Sequence, residues 1–237
     1  AAQFVGDYDA DGYDDIVVSA LFSDVSATDA GQAFLVFGSP GPIFNAIDVT
    51  TLNGGSGFTI FSTSSFGVLG HSVAGGDFNG DGVSDLFVSQ NGYSTNTGAG
   101  YVIYGDADGL YSNIDVDTML SSTGYGIFGQ SMGEHLGHSL ANAGDFNADG
   151  IDDLLIASYL RDDNGADSGA AWLITGADGT ARADLSIASL STADGFSIDG
   201  GGVGDHFGQS TSFGDINGDG FSDLIIGAPW GDNVAID

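Results

Sequence analysis

The stretch Asp77-Phe78-Asn79-Gly80-Asp81-Gly82-Val83-Ser84-Asp85 decides the reading of the whole chain. Oxygen-bearing side chains fall at its positions 1, 3, 5 and 9, and a glycine stands at position 6. Hard cations such as Ca²⁺ take about six to eight oxygen ligands, which a tight loop of alternating carboxylates and amides supplies. The backbone must turn sharply in the middle, and glycine tolerates the positive φ this needs. Position 7 requires no special side chain, because it would offer its carbonyl oxygen. The pattern opens like an EF-hand loop and closes earlier, with its last acid at position 9 rather than 12.

A single Asp-Gly-rich nonapeptide is equally well read as a turn. Here the pattern recurs at Asp7–Asp15, Asp145–Asp153 and Asp215–Asp223, with starts 70, 68 and 70 residues apart. Four oxygens and a glycine held in register four times mark a structural repeat. The candidate cation ligands are Asp7, Asp9, Asp11, Tyr13 and Asp15; Asp77, Asn79, Asp81, Val83 and Asp85; Asp145, Asn147, Asp149, Ile151 and Asp153; and Asp215, Asn217, Asp219, Phe221 and Asp223. Tyr13, Val83, Ile151 and Phe221 would contribute backbone carbonyls and the last acid of each set both carboxylate oxygens. The first loop carries four carboxylates where the others carry three, so it is expected to bind most tightly. Four Ca²⁺ are expected in all. Mg²⁺ fits less well, because it demands a small octahedral site and keeps its water.

Each loop lies between two apolar runs. After the loops come Asp15–Val18, Asp85–Val88, Asp153–Ile156 and Asp223–Ile226, which read as strands buried on both faces. Strands led by small residues follow at 32–38, 99–105 and 170–176, and a further set at 57–60, 124–128 and 195–198. Leu69-Gly70, Leu136-Gly137 and Phe207-Gly208 then open the strand that enters the next loop. This gives four short strands per repeat of about 69 residues, and no convincing helix. Only Ile114–Leu120 leaves strand and helix in competition. Four-stranded units at a fixed period point to propeller blades whose neighbours share a core.

The chain resembles the FG-GAP repeats that build the N-terminal β-propeller of integrin α subunits and parts of many bacterial extracellular proteins. Phe207-Gly208, the loop Asp215–Asp223 and Gly227-Ala228-Pro229 reproduce the full signature in one repeat. The other repeats are degenerate, with Leu-Gly for Phe-Gly and with Ser19-Ala20-Leu21, Ser89-Gln90-Asn91 or Ala157-Ser158-Tyr159 in place of Gly-Ala-Pro. The resemblance implies calcium in the hairpin between the first and second strands of each blade and, more loosely, adhesion or ligand binding. The expected fold class is therefore all-β, a β-propeller-type array of about three and a half four-stranded blades. It is read as one region over 1–237, with repeats near 1–68, 69–136 and 137–206 and a partial one at 207–237. Fourteen strands do not fill a ring of four or seven blades. The expectation is a segment of a larger propeller, or a subunit whose open ends pair in an assembly.

Composition narrows the function. The 237 residues include 33 acids against two basic residues, Arg161 and Arg182, for a net charge of −31. Nucleic acid and anionic membrane surfaces both need a basic footprint and are excluded as partners. Glu134 is the only glutamate; the remaining acids are aspartates, the residue favoured in turns and cation loops. Cysteine is absent, which removes disulfides and thiolate metal sites. Numerous calcium loops suit an extracellular or cell-surface setting, where millimolar Ca²⁺ fills weak sites. No leader-like or membrane-spanning run is visible, so these residues are read as mature region.

Catalysis is not expected. Gly129–Gly133 matches a nucleophile elbow and Gly124–Gly129 a dinucleotide fingerprint, but neither is followed by the helix its chemistry needs. Glu134-His135-Leu136-Gly137-His138 inverts the zinc-site order. His71 and His138 occupy one repeat position and read as packing or capping residues. Asp162, Asp163, Asp167, Asp106 and Asp108 read as solvated acids. The function is expected to be binding of a protein or glycan ligand, or of neighbouring subunits, with calcium structural. The alternatives are an architectural subunit of a surface layer or filament, and a non-catalytic module of a larger secreted enzyme.

Overall fold

The computed structural model describes residues 1–41, 46–107, 112–179 and 181–232. Asp108 lies outside them. Three complete four-stranded antiparallel blades and half of a fourth follow one another along the chain. The first blade comprises β1 (Ala2–Gly6), β2 (Asp15–Ala20), β3 (Gln32–Val36) and β4 (Gly57–Phe61). The second comprises β5 (Leu69–Gly76), β6 (Asp85–Gln90), β7 (Ala99–Ile103) and, after a short β8 (Ile114–Asp115), β9 (Gly124–Phe128). The third comprises β10 (Ser139–Gly144), β11 (Asp153–Ser158), β12 (Ala170–Ile174) and, after a short β13 (Leu185–Ser186), β14 (Gly195–Asp199). The half blade is β15 (Ser210–Gly214) and β16 (Asp223–Gly227). The all-β, partial-propeller expectation holds. No helix among the described residues is long and apolar enough to cross a membrane.

Alternation along each strand explains the apolar runs. In β6, Leu86 and Val88 face the first blade and join a core with Val17, Leu35 and Ile60. Phe87, between them, points the other way and packs with Leu154 and Ile156 of the third blade. Side chains of a strand alternate sides, so a blade flanked by two others buries both sets. All six residues of β6 and all six of β11 are buried. β2 and β16, on the two outermost blades, are only partly buried, because each has a neighbouring blade on one side only. The first strands β1, β5, β10 and β15 run side by side through the array.

The Leu-Gly and Phe-Gly pairs are the joints between blades. Leu69, Leu136 and Phe207 form parallel bridges to Gly31, Gly98 and Gly169 of the preceding repeat. Leu69 and Leu136 are fully buried there. The following glycines, Gly70, Gly137 and Gly208, have φ near +85° and lie so close to Ser19, Ser89 and Ala157 that a Cβ would collide with each. That explains why glycine stands in this position.

The ambiguous segment at 114–120 is neither plain strand nor helix. β8 pairs in parallel with the outer strand β4 of the preceding blade, and a 3₁₀ turn, Val116–Thr118, follows. β13 and the turn Ile187–Ser189 repeat this arrangement on β9. The third-to-fourth strand connections of the second and third blades thus reach back and clasp the blade before them. Asp117 secures the first clasp: its carboxylate accepts from the Ser62 hydroxyl (2.9 Å), both donors of Thr63 (2.7 and 2.8 Å) and both donors of Ser64 (3.1 and 3.2 Å). Hydrogen bonds to a charged acceptor contribute about 1.5–3 kcal/mol, discounted here because Asp117 is solvent-exposed. Asp117→Ala is expected to cost about 1–2 kcal/mol in urea denaturation. An unchanged midpoint would show that the clasp carries no stability.

Candidate metal centres

The four acidic loops sit in the hairpins joining first to second strands: β1 to β2, β5 to β6, β10 to β11 and β15 to β16. Their internal bonding is nearly the same. At position 1, Asp77 accepts from the amides of Gly80 (2.7 Å), Asp81 (3.1 Å) and Gly82 (2.9 Å). Asn79 accepts from the Asp81 amide, and Asp81 from the Val83 amide, each at 2.9 Å. Asp7, Asp9 and Asp11 repeat the pattern around Gly12 and Tyr13. Asp145, Asn147 and Asp149 repeat it around Gly150 and Ile151. Asp215, Asn217 and Asp219 repeat it around Gly220 and Phe221. Amides thus fold every loop around its carboxylates.

The last acid has a second task that the spacing did not reveal. Asp85 accepts from the amide of Phe78 (2.9 Å) within the loop and from that of Gly105 (2.8 Å), just beyond β7. Asp15 does the same with Tyr8 and Gly38, and Asp153 with Phe146 and Gly176. Asp223 accepts from Ile216 and Asn217. The signal was present in the sequence: Gly38, Gly105 and Gly176 stand two residues past the third strand of the first three repeats, and a Cβ on Gly105 would collide with the Ser84 carbonyl. Each oxygen of Asp85 spends one lone pair on an amide and keeps another.

Asp15, Asp85 and Asp153 are fully buried. Burial pushes the Asp85 carboxyl up to about 8 and that of Asp15 to about 6, and raises Asp153 as well. Asp9 is raised by burial and by the adjacent Asp11. Ligand oxygens of Asp7, Asp9 and Asp15 lie within 4.8 Å of one another. Like charges this close in low dielectric repel strongly unless a proton or cation intervenes. The chain has no cation to spare. It contains no lysine, Arg161 pairs with Glu134 and Asp163, and Arg182 pairs with Asp194. The donor set is all oxygen, which suits a hard cation.

Neighbouring loops are linked. The Ser84 amide donates to the Asp7 carbonyl (3.2 Å), and the Asp152 amide to the Asp77 carbonyl (2.9 Å). The Asp152 carboxylate accepts from the Asp77 amide and from Asn142. The first three loops are therefore joined in one row, and Gly144, at the entry to the third, lies against Ser222 of the fourth.

The other singled-out residues have local tasks. Glu134 is buried and ion-paired to Arg161, whose guanidinium also lies 5.9 Å from the Trp172 ring centre. The Glu134–His138 stretch is thus organised around an ion pair. The His71 Nδ1–H donates to the His138 carbonyl (3.1 Å); the two rings are 4.8 Å apart, and His138 lies 4.3 Å from Tyr159. These are packing positions between blades. Asp162 and Asp163 are exposed but not merely solvated: Asp162 accepts from the Asp167 amide (2.8 Å), and Asp163 from Arg161 (2.8 Å). Gly124–Phe128 is strand β9, and Gly129–Gly133 is the turn after it, with no helix following.

Comparison with known proteins agrees with this architecture. The FG-GAP repeat family model matches residues 4–36, 69–103, 136–174 and 207–236, more than half of the chain. Integrin alpha-PS5 of Drosophila melanogaster is 34% identical over 172 residues, which is 70% of this chain and 15% of that protein. Integrin alpha-PS2 of the same fly is 30% identical over 168 residues, 68% of this chain and 10% of that protein. Integrin alpha-V of Gallus gallus is 32% identical over 167 residues, 69% of this chain and 14% of that protein. The match thus spans only a small part of each relative. Four repeats in register and four hairpin loops of one design place the chain in the FG-GAP repeat family.

Proposed function

We propose that this chain is a calcium-loaded β-propeller module that binds protein or glycan ligands, or neighbouring subunits, at a cell surface. Calcium is structural in this reading, and the module's task is adhesion rather than catalysis. The observation that carries it is the buried carboxylate at the end of three loops, in a chain whose two arginines are both committed elsewhere. Charge compensation must then come from solution, and the all-oxygen loops favour Ca²⁺ over softer metals. The similarity to integrin alpha chains supports the adhesive role and the extracellular setting. In each loop the side chains at positions 1, 3, 5 and 9 and the carbonyl at position 7 would hold the ion, completed by water.

Calorimetric titration of chelator-stripped protein tests it. About four Ca²⁺ per chain are expected, and Asp85→Asn should remove or weaken one. Binding of fewer than two ions, or equal affinity for Mg²⁺, would overturn the assignment.

A further inference from the structure

The acids that close the first three loops stand on one run of backbone hydrogen bonds. The Tyr8 amide donates to Asp15 (2.8 Å), and the carbonyl of the same tyrosine accepts from the Asp106 amide of the next blade (3.3 Å). Gly105, the residue before, donates to Asp85 (2.8 Å). The step then repeats. The Phe78 amide donates to Asp85 (2.9 Å), the Phe78 carbonyl accepts from Ala177 (3.2 Å), and Gly176 donates to Asp153 (2.9 Å). Asp15, Asp85 and Asp153 are thus connected across three blades through single residues and the bonds between them.

A second bridge runs beside the first. The Ser84 amide that reaches the Asp7 carbonyl shares its peptide unit with the Val83 carbonyl, and the Asp152 amide that reaches Asp77 shares its unit with the Ile151 carbonyl. A peptide unit is rigid and planar, so orienting the position 7 carbonyl as a ligand also orients the amide that holds the preceding loop. The third junction differs. Asp223 accepts only from Ile216 and Asn217 of its own loop. Among the described residues, no backbone amide of the half blade donates to the loop Asp145–Asp153. A loop closed around its ion presents its carbonyls at fixed places to the amides of the next blade, which then has less disorder to lose on closing. Ordering shared in this way couples binding at separate sites without any large change of shape.

We propose that the first three cation sites are coupled through these bridges, so that filling one raises the affinity of its neighbour about tenfold, whereas the fourth site fills independently. The proposal rests on the calcium reading above and deepens it by naming how the sites regulate one another. Gly105-Asp106 and Gly176-Ala177 are the positioning residues, each pair touching its own loop with one amide and the preceding loop with the other. Coupling of this kind narrows the range of calcium concentration over which the array closes.

Each loop carries its own reporter, because the amides of Gly12, Gly82, Gly150 and Gly220 all donate to the first carboxylate of their loop. Chelator-stripped, ¹⁵N-labelled full chain is titrated with Ca²⁺ below its melting transition, and the midpoint at each glycine is read by NMR. Asp81→Asn weakens the second site yet keeps an acceptor for the Val83 amide, and Asp219→Asn does the same for the fourth site and Phe221. In Asp81→Asn the Gly12 and Gly150 midpoints are expected to rise about tenfold, while Asp219→Asn, an equal change of charge on the other side of the third loop, leaves Gly150 within about twofold. Adding Ala177→Pro to Asp81→Asn deletes one bridging amide and should shrink the effect on Gly150 while sparing that on Gly12. Gly12 and Gly150 midpoints that ignore Asp81→Asn, or a Gly150 midpoint moved equally by Asp81→Asn and Asp219→Asn, would overturn the coupling. An effect on Gly150 undiminished by Ala177→Pro would overturn the bridge as its route. Glycine resonances indifferent to calcium in the native protein would instead overturn the metal assignment, and the coupling with it.

Discussion

Excess chelator is expected to lower the melting temperature of this chain by tens of degrees. A ligand bound only by the native state adds about 2.7 kcal/mol per site at a hundred-fold excess over Kd. Four such sites approach the whole stability of an ordinary domain, about 5–15 kcal/mol. The mechanism is local. Without a cation, Asp7, Asp9 and Asp15 face one another within 4.8 Å, and Asp85 is a fully buried acid bonded only to amides. Because Asp85 also ties its loop to the end of β7, losing the ion there loosens the blade as well as the loop. Asp85→Ala should reproduce part of the loss with calcium present, roughly 5–10 °C for a chain of this size. Differential scanning fluorimetry with and without chelator checks both. A melting curve indifferent to chelator would show that the loops are ordinary turns.

The sequence made the fold legible because one physical pattern is repeated. Alternating oxygens with a glycine at position 6, apolar runs after them and a constant period together admit few architectures. The residues it concealed act between repeats. Asp117 resembles any exposed acid until β8 is seen lying on β4, where its carboxylate meets Ser62, Thr63 and Ser64. Its counterpart in the third repeat is Ala188, so no periodic signal marked it. Arg161 was visible as one of two basic residues, but its partner Glu134 stands 27 positions away, in the connection between the second and third blades. Contacts across blade junctions depend on which loop turns inward, and single-strand periodicity carries no such information. The half-buried faces of β2 and β16 follow from the same cause, since burial on both sides is a property of neighbours rather than of the strand.

Stability should also fall as the solution is acidified from pH 6.5, with His138 as a principal cause. Its ring lies between those of His71 and Tyr159. Burial first, then the nearby His71 and His135, push it down to about 4. An unfolded histidine titrates near 6.5, so between about pH 6.5 and 4 the unfolded chain binds a proton that the native protein refuses. Stability is complete above the unfolded value and is lost as pH drops toward the folded one. Each unit of pKa difference is worth about 1.4 kcal/mol at most, so a descent to pH 4.5 removes about 1–2 kcal/mol through this half-buried, partly screened ring. His71 and His135, also lowered by burial, act in the same direction. Asp85 acts oppositely in calcium-free protein, where its raised carboxyl makes stability fall as pH rises toward about 8. The measurement therefore keeps calcium saturating. Urea denaturation from pH 7 to 4.5 should show a steeper loss for the native sequence than for His138→Gln, which cannot take up the proton. Parallel curves for the two would show that His138 titrates in the folded protein as it does in the unfolded chain.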